Sequence, residues 1–306
     1  MKAAEAGTAA KLAGTRINFR NILFLTDFSE PSEAALPFAM GIARGYGAKT
    51  FALNILRPDP LLYSTPESTA IAEDTQEETA KAEMARLESR LAGLPHETMV
   101  EWGDGIWTSV EDALQEHRID LIVLGTHGRT GAEKLLLGSV AEEIFRCSPV
   151  PVLTIGPAVR SSVHNGARFH NVLFATDFSP HSLAALPYAL SLAEDNQARL
   201  TLLHIMKEKN AVPGAIFDET AAASALKRLD DLQPEEVKLW CRLESVVEKG
   251  EPAMRILEVA KQRGADLIVL GVRNHAEHLG AATHLLRATA HKVVAHAECP
   301  VLTVRG

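Results

Sequence analysis

Residues 21–43 read "NILFLTDFSEPSEAALPFAMGIA", and residues 171–193 read "NVLFATDFSPHSLAALPYALSLA". Each opens on a short apolar run, turns through Thr-Asp-Phe-Ser, and continues with Ala and Leu at helical spacing. An apolar run without polar alternation reads as a strand buried on both faces. Ser29 is placed to cap the following helix, with Pro31 in its first turn. Pro37 and Pro187 fall inside the helical pattern, where a proline ring predicts a kink.

The match between the two stretches is gapless, and two further blocks repeat in the same order. "DLIVLG" starts at Asp120 and at Asp266, and "PVLTI" at 151–155 is matched by "PVLTV" at 300–304. Three ordered blocks predict two copies of one domain, 17–157 and 168–306, each of ordinary domain size. The joint, "GPAVRSSVHNGAR" at 156–168, has the composition of an exposed linker. Within a copy, apolar strands alternate with helical segments, and residues 57–74 read as a loop. That alternation predicts two tandem open α/β sandwiches, each a five-stranded, mainly parallel sheet flanked by helices. Ligands of such sheets bind beyond the carboxyl ends of the strands. The strand ends are Asp27, Asn54–Ile55 and Gly125, which should therefore converge.

Composition narrows the function classes. The formal charge is -8 over 306 residues, which excludes a broad nucleic-acid footprint. No apolar run reaches the roughly 18 residues that a membrane helix needs. "MKAAEAGTAAKLAGTR" lacks the apolar centre of a secretory signal, and its Ala/Gly content predicts a disordered tail. Cys147, Cys241 and Cys299 form no CxxC pair and fit a reducing compartment. The expected location is the cytoplasm, and the expected partners include neither nucleic acid nor membrane.

One stretch carries chemistry. "GTHGRTGAEKLLLGSV", 125–140, follows the fourth strand and leads into a helix. A helix N-terminus offers unpaired N–H groups and partial positive charge. Glycine lets phosphate oxygens approach the backbone, Ser139 adds a hydroxyl, and Arg129 and Lys134 could add charge at the mouth. The stretch is neither a P-loop nor a GxGxxG fingerprint. From the residues alone, an anion site and a plain glycine-rich turn both remain open.

The chain resembles the universal stress protein family in its tandem two-domain form. The motif G-x2-G-x9-G-[S/T] of that family's ATP-binding branch is met by Gly125, Gly128, Gly138 and Ser139, and "TDFS" occurs at 26–29 and 176–179. The resemblance implies ATP in the N-terminal domain, with Mg²⁺ as an optional companion of the nucleotide. It implies that Asp27 contacts adenine, with Leu25 and Thr26 along the same edge. Ile55 would pack on base and ribose, and Gly125, His127, Gly128, Gly138, Ser139 and Val140 would hold ribose and phosphates. It further implies a pseudo-dimer of the two domains through their C-terminal strands, with a homodimer of whole chains as a further option. Local alternatives stand beside these roles: Asp27 as a capping carboxylate, His127 as a solvated loop histidine, Ser139 as an N-cap.

The second copy departs from the pattern. Asp177, Ile205 and Gly271 are kept, but Asn274 replaces Gly128, and Arg287-Ala288 replace Gly138-Ser139. Side chains there would stand where phosphates approach, so the second domain is expected to hold no ATP in the family manner. His275, His278, His284, His291, His296 and Cys299 gather in this region without a structural-zinc spacing; exposed histidines are the expected state. Three functions follow. One is a nucleotide-binding regulatory or stress protein. Another is a slow ATPase or autophosphorylating protein, for which no general base is evident. The third is a scaffold in which nucleotide or metal is incidental.

Overall fold

The computed structural model describes residues 16–58, 66–126, 137–159, 168–206, 219–234, 237, 241–273 and 289–306. The chain divides into two compact units. One is Asn18–Pro157 (with 161–167 outside the described residues), and the other is Arg168–Gly306 with Arg16, Ile17 and 158–159. The bulk of each unit corresponds to one copy of the repeat.

In the N-terminal unit, β1 (Asn21–Leu25), β2 (Lys49–Leu56), β3 (His96–Trp102), β4 (Leu121–Gly125) and β5 (Val152–Ile155) form a sheet in the order β3-β2-β1-β4-β5. Every neighbouring pair is parallel. The helices are α1 (Glu30–Tyr46), α2 (Pro66–Leu91), α3 (Ile106–Glu116) and α4 (Ser139–Cys147). The C-terminal unit repeats the plan. Its strands β6 (Asn171–Ala175), β7 (Arg199–Met206), β8 (Arg242–Lys249), β9 (Leu267–Val272) and β10 (Val301–Arg305) stand in the order β8-β7-β6-β9-β10, again all parallel. Its helices are α5 (Pro180–Leu183), α6 (Leu186–Asn196), α7 (Glu219–Asp231), α8 (Pro252–Arg263) and α9 (Thr289–His296). The apolar runs behave as the sequence predicts. Ile22, Leu23 and Phe24 are fully buried, as are their repeats Leu173 and Phe174. In both sheets the chain moves outward from the first strand, then returns to its other side. The switch point lies between β1 and β4, and between β6 and β9.

The shared "DLIVLG" begins with an aspartate for a structural reason. Asp120 accepts the backbone N–H groups of Arg20 (2.8 Å) and Asn21 (3.2 Å), tying the start of β4 to the start of β1. Asp266 does the same for His170 (2.7 Å) and Asn171 (3.0 Å). Burial nevertheless raises the Asp120 carboxyl above its ordinary range, outweighing the two N–H donors.

Two local expectations are corrected. Residues 66–74 are not loop, because α2 begins at Pro66. The signal was present as Thr65-Pro66-Glu67: a cap-forming residue, a proline and a first-turn acid. The two interior prolines also act differently. Pro37 lies inside one continuous 17-residue helix, whereas in the second unit the helix is interrupted at 184–185 and α6 restarts with Pro187 in its first turn. Proline has no N–H for the preceding turn and is tolerated best at a helix start.

Candidate functional site

The carboxyl end of the first sheet is tied together by short hydrogen bonds. Thr26 N–H donates to Leu53 O (3.0 Å), continuing the β1–β2 ladder past Leu25. Asn54 Nδ2 donates to Thr26 O (2.8 Å). Thr126 N–H reaches Ile155 O (2.9 Å), and Gly138 N–H reaches Thr126 O (2.7 Å), which fixes the start of α4 against the end of β4. These bonds bring Leu25, Thr26, Asp27, Ile55, Gly125, Gly138, Ser139 and Val140 to one end of the sheet. His127 and Gly128, with Arg129 and Lys134, lie outside the described residues.

The turn after β1 is a self-contained network. Ser29 caps α1, its hydroxyl accepting from Ser32 N–H. Asp27 Oδ1 accepts from Ser29 N–H (3.0 Å) and from the Ser29 hydroxyl. Asp27 thus braces the capping serine rather than capping the helix itself. The Ser32 hydroxyl donates to Ser29 O (3.0 Å), so toward Thr26 it can only accept, and the Thr26 hydroxyl donates to it (3.1 Å). Thr26 Oγ1 in turn accepts from Phe28 N–H. Phe28 sits at φ 58°, a left-handed position that an ordinary side chain adopts only when its surroundings impose it. The Thr26 hydroxyl therefore shapes the turn.

The second unit reproduces this turn, with Phe178 at φ 62° and Ser179 as the cap. Burial alone would raise the Asp177 carboxyl. The Ser179 hydroxyl and N–H, then the Ser182 hydroxyl and Arg273, outweigh it and hold the group below the ordinary aspartate range. A depressed folded-state pKa stabilises the fold above the unfolded value and loses that contribution as pH falls through the folded one. The stability gap between wild type and Asp177→Asn should accordingly shrink below about pH 4 in an acid series of thermal melts. A gap independent of pH would show that the charge is not what the turn uses.

Gly125 has a reason unconnected with any ligand. A Cβ there would stand 2.6 Å from Pro31 O and 2.8 Å from Pro31 C, backbone atoms of the first turn of α1. At Gly271 a Cβ would meet His181 O at 2.1 Å. The matching position near the end of this strand is glycine in both units because the helix N-terminus rests on it. Sequence reasoning also passed over Gly103, whose added Cβ would lie 2.3 Å from Ser109 Oγ and 3.1 Å from Ile55 Cγ2. This glycine leaves room for Ile55.

The start of α4 is where anion chemistry is available. Gly138 is its N-cap and, having no side chain, makes no side-chain cap bond. The first-turn N–H groups of Ser139, Val140 and Ala141 have no partner within the helix, and the Ser139 side chain is exposed. Donors in that position favour an anion. The corresponding Arg287-Ala288 and Asn274 lie outside the described residues, as do His275, His278 and His284. Of the remaining histidines, His291 is buried, and His296 Nδ1 donates to Lys292 O (2.8 Å). Burial, with Asp266 and Glu298 nearby, pushes the Cys299 thiol up to about 12, which disfavours the thiolate a metal would need. Among the described residues no three His, Cys, Asp or Glu side chains converge on a metal position, and no helix is long and apolar enough to cross a membrane.

Comparison with known proteins agrees with the duplication. The profile of the universal stress protein family matches residues 18–156 and again 168–305. Universal stress protein YxiE of Bacillus subtilis is 33% identical over 150 residues, covering 45% of this chain and 99% of its own length. A universal stress protein of Mycolicibacterium smegmatis is 26% identical over 298 residues, covering 93% of this chain and 96% of its own. Among solved structures, a universal stress protein from Archaeoglobus fulgidus superposes with a TM-score of 0.72 at 22% identity, covering 95% of this chain and 97% of its own. That last likeness speaks to the fold.

Proposed function

Since the chain belongs to the universal stress protein family, we propose that its N-terminal unit holds one adenine nucleotide, ATP, and that the protein serves a regulatory or stress-response role through that occupancy. The observation that carries the reading is the start of α4. Ser139 and Val140, just after the side-chain-free N-cap Gly138, present first-turn N–H donors with no partner within the helix, beside the end of β4 at the switch point of the sheet. Phosphates would take these N–H groups and the Ser139 hydroxyl, with Gly125, His127 and Gly128 continuing the loop around them. The base would lie across the ends of β1 and β2, between Leu25, Thr26 and Asp27 on one side and Ile55 on the other. Mg²⁺ would enter with the nucleotide and would supply charge neutralisation to its phosphates.

The second unit keeps the turn after its first strand but has Arg287-Ala288 where Gly138-Ser139 stand. The reading assigns it no ATP and a structural role. It also places the protein in the cytoplasm and pairs the two units along their C-terminal strands as a pseudo-dimer. Those strands, "PVLTI" and "PVLTV", are apolar ends of a sheet that need cover. Whole chains could associate further as a homodimer.

Binding to the folded state must stabilise it. ATP at 100 times its Kd should raise stability by about 2.7 kcal/mol, read as a rise in melting temperature. Absence of any shift at millimolar ATP would refute the reading.

A further inference from the structure

We propose that Asn54 is a specificity-determining residue of the N-terminal site, its Oδ1 accepting an N–H from the exocyclic amine of an adenine-class base. The assignment deepens the nucleotide reading and rests on it.

Asn54 is 5% exposed near the carboxyl end of β2. Its Nδ2 donates to Thr26 O at 2.8 Å. Only the NH₂ of an amide can donate to a carbonyl, so this bond fixes which way the side chain faces. What remains is Oδ1, and it is buried with no hydrogen-bond partner among the described residues. Buried polar atoms are nearly always paired, because an unpaired one forfeits its hydration for nothing. A ligand that brings a donor to this atom recovers that loss. A ligand of the same shape without the donor does not.

Position selects the part of the ligand. The order β2-β1-β4 puts Asn54 two strand spacings, about 10 Å, from the end of β4 where the phosphates would sit. A nucleotide anchored at α4 reaches that far with its base, not with its ribose. Asn54 also ties to the segment assigned to the base, bonding the carbonyl just before Asp27. In this structure Oδ1 is shielded from solvent. Its pairing requires the side chains at the ends of β1 and β2 to part as the base enters, and water then does not compete for it.

The second unit is an internal control. His204 holds the place of Asn54, and its Nδ1 donates to Thr176 O at the same 2.8 Å. The brace is kept, but the amide oxygen is gone. The imidazole packs instead on Phe178, with ring centroids 4.5 Å apart, and Arg228 lies over the same phenyl ring at 3.9 Å. The unit that has lost Gly138-Ser139 has thus also filled this place with an aromatic cluster.

The test uses the full chain and two probes, ATP and purine riboside 5′-triphosphate, which lacks the 6-amine. Wild type should bind ATP at least about tenfold more tightly, the effect of one paired buried acceptor. Asn54→His keeps the bond to Thr26, as His204 shows for its own unit. It should lose about tenfold toward ATP while affinity for the analogue is unchanged, bringing the ratio near one. A purely structural role would weaken both alike. Wild type without preference between the probes would overturn the assignment before any variant is made, and an unchanged ratio in Asn54→His would overturn it after. Failure of wild type to bind either probe would instead bring down the nucleotide reading, and the assignment with it.

Discussion

Gly125→Ala should lower the stability of the N-terminal unit by about 3 kcal/mol, the upper end of what overpacking does. The cause is geometric. The new Cβ would stand 2.6 Å from a backbone oxygen of the first turn of α1, and 3.0 Å from Ser32 N. No rotamer relieves such a contact, because neither party is a side chain end. Either β4 shifts or the first turn of α1 does, and the Thr26–Ser29–Ser32 network moves with it. At roughly 2–4 °C per kcal/mol for a unit of this size, the melting temperature falls by about 6–12 °C. Gly271→Ala should act similarly on the second unit, where the approach to His181 O is closer still. Gly45→Ala is the control. It lies on α1 with nothing within 4 Å of its added Cβ, so it should stabilise by about 0.5–1 kcal/mol. Equal stability of Gly125→Ala and wild type would mean that the strand end is not held by α1.

Gly138→Arg should abolish nucleotide binding, at least 100-fold in Kd, without comparable loss of fold. Gly138 has ordinary backbone angles at the N-cap, φ -62° and ψ 150°, which any residue can adopt. Its substitution therefore brings little strain. It places a long side chain where phosphates would approach the first-turn N–H groups, reproducing what Arg287 does in the sequence of the second copy. Two glycines of one motif thus answer to different physics: Gly125 to packing, Gly138 to access. Calorimetric titration with ATP, beside a thermal melt of the same sample, separates the two. Undiminished binding by Gly138→Arg would move the site away from α4.

The fold was legible because the duplication repeats every decisive signal. Unbroken apolar runs at 22–25 and 121–124, each leading on to a helix, leave little choice but a parallel α/β sheet. The turn residues were legible too: Ser29 caps as its type and position suggest. Other features were hidden because they depend on partners distant in sequence. Asp120 looked like the first letter of a strand, and only the fold reveals it as the acceptor for two N–H groups a hundred residues earlier. Gly125 read as part of a ligand motif, and its contact with Pro31 could not be inferred from spacing. Asn54 was legible as part of a strand end, but not as a side chain whose amide oxygen is left unpaired. Its meaning lies in one amide bond to Thr26 and in the contrast with His204. The helix over 66–74 was missed although Thr65-Pro66-Glu67 announced it, since a weakly apolar, charged helix carries little periodicity.

The most direct test of the central claim is the nucleotide content of the purified protein after acid extraction, counted per chain. The account predicts about one adenine nucleotide per chain in wild type and none in a Gly138→Arg, Ser139→Ala variant. Two per chain would contradict the division of labour between the units. None in wild type, with no rise in melting temperature on adding ATP, would contradict nucleotide binding itself.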